Sequence, residues 1–196
     1  MDDSLFWRVH VSPDALARSP GHVGARFATG MAAMRATQAY LRPLPDALVR
    51  LWLARDRGHI VIDAVRQGFR PGMSAFRGRR LEDVAWVRLT LLAEDPIAYL
   101  TPVGALIAHL IGWGESPEEK GQPWRDFARG VRSSFEAGYG RSDAARADVD
   151  AYLAEGIAWY LADRRGLNVE NPRLEKLLRA TLFNEAWSQN EICWFD

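Results

Sequence analysis

The sequence predicts a mainly helical α+β fold in a single domain. Three observations carry this. Stretches with apolar residues at helical spacing cover most of the chain, β-branched residues gather in one short run, GHIVIDAV, and 196 residues suffice for one substantial core. Hydrophobic residues make up 48% and aromatics 11%, with eight Trp, so the chain packs rather than staying disordered.

Residues 5–11 (LFWRVHV) read as a strand, and Ser12-Pro13 opens a brief helix. Val23, Phe27, Met31, Met34 and Leu41 predict one helix over 22–41, ended by Pro43 and Pro45. A second helix is expected over 45–56, and residues 58–65 are β-branched between Gly58 and Gly68, so they predict a strand. A loop rich in Gly, Pro and Arg is expected through Arg80, then a helix over 81–92 with Val84, Trp86, Val87 and Leu91 inward. Asp95-Pro96 breaks it.

The apolar run 97–113 predicts the most buried helix of the chain after Pro102, ended by Gly112, Gly114 and Pro117. Trp124, Phe127, Val131 and Phe135 form one stripe of a helix over 123–137. Ser142-Asp143 caps a helix to about 164, and Asn171-Pro172 starts a last one to about 188. The expectation is six to seven helices with two or three short strands. Residues 1–57 would supply an N-terminal strand and helices, and 58–190 the core.

Formal net charge is zero, but residues 1–92 hold 14 arginines against eight acids and residues 93–196 hold 11 basic residues against 17 acids. The split is open to an intramolecular match or to a partner of either sign. Lysine is rare beside arginine, which fits the coding preference of a high-GC bacterium. The single cysteine, Cys193, excludes an internal disulfide and a Cys-cluster metal site. The tail around Trp187, Cys193, Trp194 and Phe195 reads as a docking segment or as packing on its own domain. The N-terminus shows no signal-peptide pattern and no run is long and apolar enough to span a bilayer, so the expectation is a soluble cytoplasmic protein without a membrane partner. Ser133-Ser134 has no nucleophile partners in register, and the glycines of GHVGARFATG lack a phosphate-loop Lys-Ser/Thr.

Two helices carry the functional reading. PVGALIAHLIGWG holds one titratable group, His109, and helical spacing places Trp113 at i+4 on its face. A zinc hydrolase of the H-E-x-x-H kind needs His at both positions and a Glu beside the first as general base. Glu155 lies in DAYLAEGIAWYL, one turn from Tyr152 and from Trp159. LIAHLIGW at 106–113 resembles the L-x-x-H-E-x-G-H helix of zincin-type metallopeptidases. DAYLAEGIAWYL is similar to their E-Y-F-A-E-A-F-x-x-Y segment, and NPRLEKLL to the N-P-x-L-x-x-x-L that follows in the lethal-factor-like group. The strand HIVID is similar to the edge strand lining such a cleft.

The resemblance covers roughly residues 58–182 and implies a zincin-like domain. It places His109 at the first zinc-binding His and Glu155 at the glutamate ligand. Leu110 stands where the base belongs and Trp113 where the second His belongs, so the site is vestigial. With two ligands and no base, neither metal, cofactor nor catalysis is expected. Alternatively, His109 is a neutral core histidine bonded to a carbonyl or to Glu155, and Glu155 a structural acceptor or a solvent-facing residue. Trp113 would fill the old metal cavity.

From 64 to 81 there are five arginines (Arg66, Arg70, Arg77, Arg79, Arg80) and no acid, with Phe69 and Phe76 between them. Such a segment suits phosphate contacts, or its arginines pair with the acidic C-terminal half. The leading expectation is an inactive metallopeptidase-like protein that binds a protein or peptide in the inherited cleft. The rival is a nucleic-acid-associated protein using 66–80.

Overall fold

A computed structural model describes residues 3–116 and 120–192 of the chain. Strands β1 (Val9–Val11), β2 (His59–Asp63), β3 (Gly68–Phe76) and β4 (Arg79–Arg88) form one mixed sheet in the order β1-β2-β4-β3. The first three of that order run parallel, and β3 lies antiparallel to β4 at the edge. Eleven α-helices are present among the described residues, so the fold is α+β and mainly α. The main core runs from Leu5 to Ile192 and joins Ile60, Ile62, Ala85 and Val87 of the sheet to the helices. No helix among the described residues is long and apolar enough to cross a membrane.

Several expected elements form where the spacing puts them. These are α1 (Asp14–Ala17), α4 (Asp46–Ala54), β2 and α7 (Gln122–Glu136). The expected helix over 22–41 is broken in two. α2 (Gly21–Arg26) ends at Phe27, and the Thr29 side chain accepts the Ala32 amide to start α3 (Gly30–Leu41). Residues 5–8, expected as strand, lie in a 3-10 helix over Asp3–Arg8.

The largest difference falls on 66–92. Residues 79–88 are the central strand β4, not part of a helix, and α5 is confined to Leu89–Glu94. Val84–Val87 are buried on both faces, so the alternation that marks a half-exposed strand is missing. The expected loop is a hairpin arm. Arg77 (φ 50°) and Gly78 (φ 76°) form a two-residue turn that closes the Phe76–Arg79 pair. Pro71 is tolerated because β3 is an edge strand with a register shift between Arg70 and Met73.

α6 (Pro96–Leu110) starts before Pro102 rather than after it, with Asp95 accepting the Ala98 amide as its cap. Pro102 has no N–H for the carbonyl four residues back, that of Ala98. Gln67 supplies it, donating Nε2 to the Ala98 carbonyl at 2.7 Å while its Oε1 accepts the Arg88 amide at 2.7 Å. The helix interior proline is thereby tied to the end of β4.

Ser142 caps the short α8 (Asp143–Ala147), and Asp148 caps α9 (Val149–Glu170). α9 kinks at Asp163, near the expected end. The last expected helix divides into α10 (Pro172–Ala180) and α11 (Glu185–Glu191), each with an Asn cap. Ser134, far from being a nucleophile, bonds the Tyr152 hydroxyl at 2.7 Å, and Asn171 donates to the same hydroxyl at 2.6 Å, joining α7, α9 and α10. Pro117 and the tail from Cys193 onward lie outside the described residues.

α6 packs on α9 at a point where Gly104 meets the Ala154 carbonyl so closely that no Cβ would fit. Gly104→Ala is therefore expected to destabilise by about 1–3 kcal/mol or more through overpacking. Gly24→Ala, in the open α2, is expected to gain about 0.4–1 kcal/mol. Urea midpoints of the two variants should move in opposite directions.

A second small cluster of Val61, Leu81, Val84 and Trp86, flanked by Phe76, forms on the sheet apart from the main core. Beside it His10 Nε2 and His59 Nδ1 lie 3.1 Å apart. Burial, then the neighbouring His10, pushes His59 down to about 4, and burial with Arg79 and Arg8 lowers His10. Both folded values lie below the ordinary 6.5. The unfolded chain therefore takes up protons first as pH drops. This contribution is complete above about 6.5 and lost towards 4. The melting temperature should fall across that window, and less so in His59→Gln.

Candidate functional site

A cleft of about 890 Å³ lies between β3, α6 and α9. One face of α6 lines it, through Ala98, Thr101, Pro102, Ala105, Ala108 and His109, which recur at the helical period. Phe69 of β3 faces them, and Ala151, Ala154 and Glu155 of α9 form the far wall. The lining is mostly apolar with a few polar groups, as ligand clefts are.

His109 is not a closed core residue. Its side chain is 36% exposed, and its ring lies 5.3 Å from that of Phe69. Nε2 sits 3.3 Å from Asp83 Oδ2, neither at a backbone carbonyl nor at Glu155. Asp83 is buried, in the left-handed region (φ 55°), and its Oδ1 accepts the Gly72 amide at 2.7 Å inside the β3 irregularity. Arg57 Nε approaches Oδ2 at 3.8 Å. Sequence reasoning missed Asp83 because it lies in the segment taken for a helix.

Glu155 is buried with both oxygens occupied. Oε1 accepts the Arg141 amide at 2.7 Å, and the Ser142 amide lies at 3.1 Å from Oε2. The carboxylate therefore latches the turn before α8 to α9. This matches the structural-acceptor alternative. Just beyond, Arg141 grips Asp95 at 3.1 and 3.2 Å. Burial raises the Asp95 carboxyl, but the Arg141 guanidinium and the Ala98 amide outweigh it and hold the group below the ordinary value.

Trp113 does not share a helical face with His109. α6 ends at Leu110, and Gly112 (φ 76°) turns the chain, with the Trp113 amide on the Ala108 carbonyl and the Gly112 amide on that of His109. That pair of bonds is a Schellman cap. The indole donates to Asp150 at 2.7 Å and packs near Trp124 and Phe127. It walls the cleft and leaves it open, rather than filling a cavity between His109 and Glu155. Leu110 is 2% exposed and belongs to the core.

A zinc ion of the kind the resemblance implies does not fit these residues. Both Glu155 oxygens already accept backbone amides, Leu110 and Trp113 offer no ligand, and His109 turns Nε2 to Asp83. Among the described residues no three His, Cys, Asp or Glu groups could hold a metal. Comparison with family models, with curated proteins and with solved structures finds no match.

The arginines stand apart from this cleft, on the hairpin. Arg66 lies over the Trp86 ring at 4.2 Å, and Arg70, Arg77, Arg79 and Arg80 are exposed. Among the described residues none of the five is ion-paired, so the expected match with the acidic half is not seen there.

Glu155→Ala should cost about 2–3 kcal/mol, since two amides lose a charged acceptor. An unchanged denaturation midpoint would show that the latch contributes nothing.

Proposed function

We propose that this chain is a zincin-like protein without peptidase activity that binds an extended, largely apolar peptide, free or within a protein, in its cleft. The observation that carries this is the setting of the cleft. An apolar face of α6 lies opposite β3, whose outer side has no strand partner among the described residues. An edge strand offers unpaired backbone groups to an added strand, and pockets beside it select alternate side chains. The Asp95–Arg141 pair and His109 give that cleft polar ends.

The loss of catalysis rests on the chemistry of the four vestigial positions. Glu155 is latched, Leu110 is core, Trp113 bonds Asp150, and His109 has one carboxylate neighbour. A soluble cytoplasmic setting goes with this reading.

The test is titration calorimetry of the full chain with extended apolar peptides from a display library, beside a peptidase assay with and without zinc. Saturable binding, abolished by Ala105→Phe on the cleft face of α6 and accompanied by no cleavage, is the expected result. Zinc-dependent cleavage of the library would overturn it. So would binding that Ala105→Phe leaves intact.

A further inference from the structure

The turn end of the β3–β4 hairpin carries a surface outside the cleft lining, which β3 enters only through Gly68 and Phe69. Cross-strand pairs that adjoin along a ribbon point to opposite faces. The Phe76–Arg79 pair therefore sets Arg79 on one face, and the Ala75–Arg80 pair sets Arg80 on the other. Arg77 occupies the turn between them. Arg70, Met73, Ala75, Arg77, Arg79 and Arg80 are all exposed, Met73 by 59%, so arginine meets solvent on both faces of the outer half, while Phe76 beside Arg79 packs against Trp86 and His10.

Among the described residues no ion pair compensates the charge on this arm. Elsewhere arginines find acids: Arg8 pairs with Asp56, Arg141 with Asp95, Arg146 with Asp143 and Arg164 with Glu175. No acid occurs between residues 64 and 81. Glu82 follows at the base, and Asp83 is turned inward to His109. Arg66 lies over Trp86, a cation–π contact that leaves the residue exposed.

These features select among polyanions. A flat anionic surface such as a membrane engages one face of a ribbon, whereas here both faces and the tip carry arginine. The major groove of B-DNA is about 12 Å wide, admits a two-stranded ribbon and presents phosphates on both walls. Arginine suits such phosphates through its planar fork of donors. Between Arg70 and Arg80 the one uncharged polar side chain is Ser74, so apart from the arginines, which can also contact guanine, the arm has little with which to read base edges.

We propose that the β3–β4 hairpin enters the major groove of duplex DNA and holds the phosphates of both walls through Arg77, Arg79 and Arg80, with Arg66 and Arg70 at its base. Recognition is of the backbone and independent of sequence.

The experiment is fluorescence anisotropy of the full chain with a labelled mixed-sequence duplex at increasing salt. The same strand alone and anionic phosphatidylserine vesicles serve as parallel probes. Three to five phosphate contacts give a slope of log K against log salt of about −2.7 to −4.5. The variant Arg77→Asn/Arg79→Ser/Arg80→Ser keeps a residue that tolerates the left-handed turn, and its circular dichroism and melting should match the parent. Its slope should shrink towards zero, by about 0.9 for each contact removed.

No duplex binding at low salt overturns the proposal, as does a folded variant that binds like the parent. Binding of the single strand as tight as the duplex, or of vesicles alone, overturns groove insertion. A variant that self-associates while the parent ignores DNA would make the arginines guards of an exposed edge strand instead.

Discussion

The contact of α6 with α9 at Gly104 and Ala154 sets most of what the molecule can do. A helix backbone lying against another helix's carbonyl brings the two axes closer than any side chain would allow. That closeness fixes how the open faces diverge on either side, and the cleft is the space left by the divergence. Glu155 is the next residue after Ala154, so the same contact places its carboxylate under the Arg141–Ser142 turn. At the other end, α6 is anchored through its own defect. The carbonyl that Pro102 leaves without a donor is the one Gln67 takes up, and Gln67 also caps the end of β4. Sheet, central helix and far wall are thus positioned by three local constraints in series.

How much of this the sequence makes legible depends on which physical signal each element sends. Trp124, Phe127 and Val131 send a clear helical period, and α7 forms where the stripe predicts it. The strand β2 is legible because its β-branched run is bounded by glycine. β4 is not, because a strand buried on both faces shows no alternation, and Val84 and Val87 happen to match helical spacing. β3 is illegible for the opposite reason. It is an exposed edge strand of Gly, Pro and Arg, and its strand character comes from pairing with β4 rather than from its own composition.

The candidate site follows the same division. His109 and Glu155 are found by motif, and both do line one cleft. Their partners are not found, because each comes from a distant segment: Asp83 from a misread strand, and the Arg141 and Ser142 amides from a turn. Trp113 shows how a spacing argument fails at a helix end. The i+4 relation to His109 requires helix through 113, and Gly112 in the left-handed region stops it at Leu110. The glycine was visible as a terminator, and its consequence for the spacing is what the motif comparison overrode.

Asp83 ties the cleft to the arm. A buried carboxylate is unfavourable unless compensated, and here the compensation comes from two directions. The Gly72 amide meets one oxygen from the ribbon, and His109 approaches the other from α6, with Arg57 behind it. Neither His109 nor Arg57 is aligned as a hydrogen bond to Oδ2. The irregularity at Pro71–Gly72 and the imidazole at the cleft wall therefore share one carboxylate. Two surfaces that look independent along the sequence are joined in the fold by a single carboxylate.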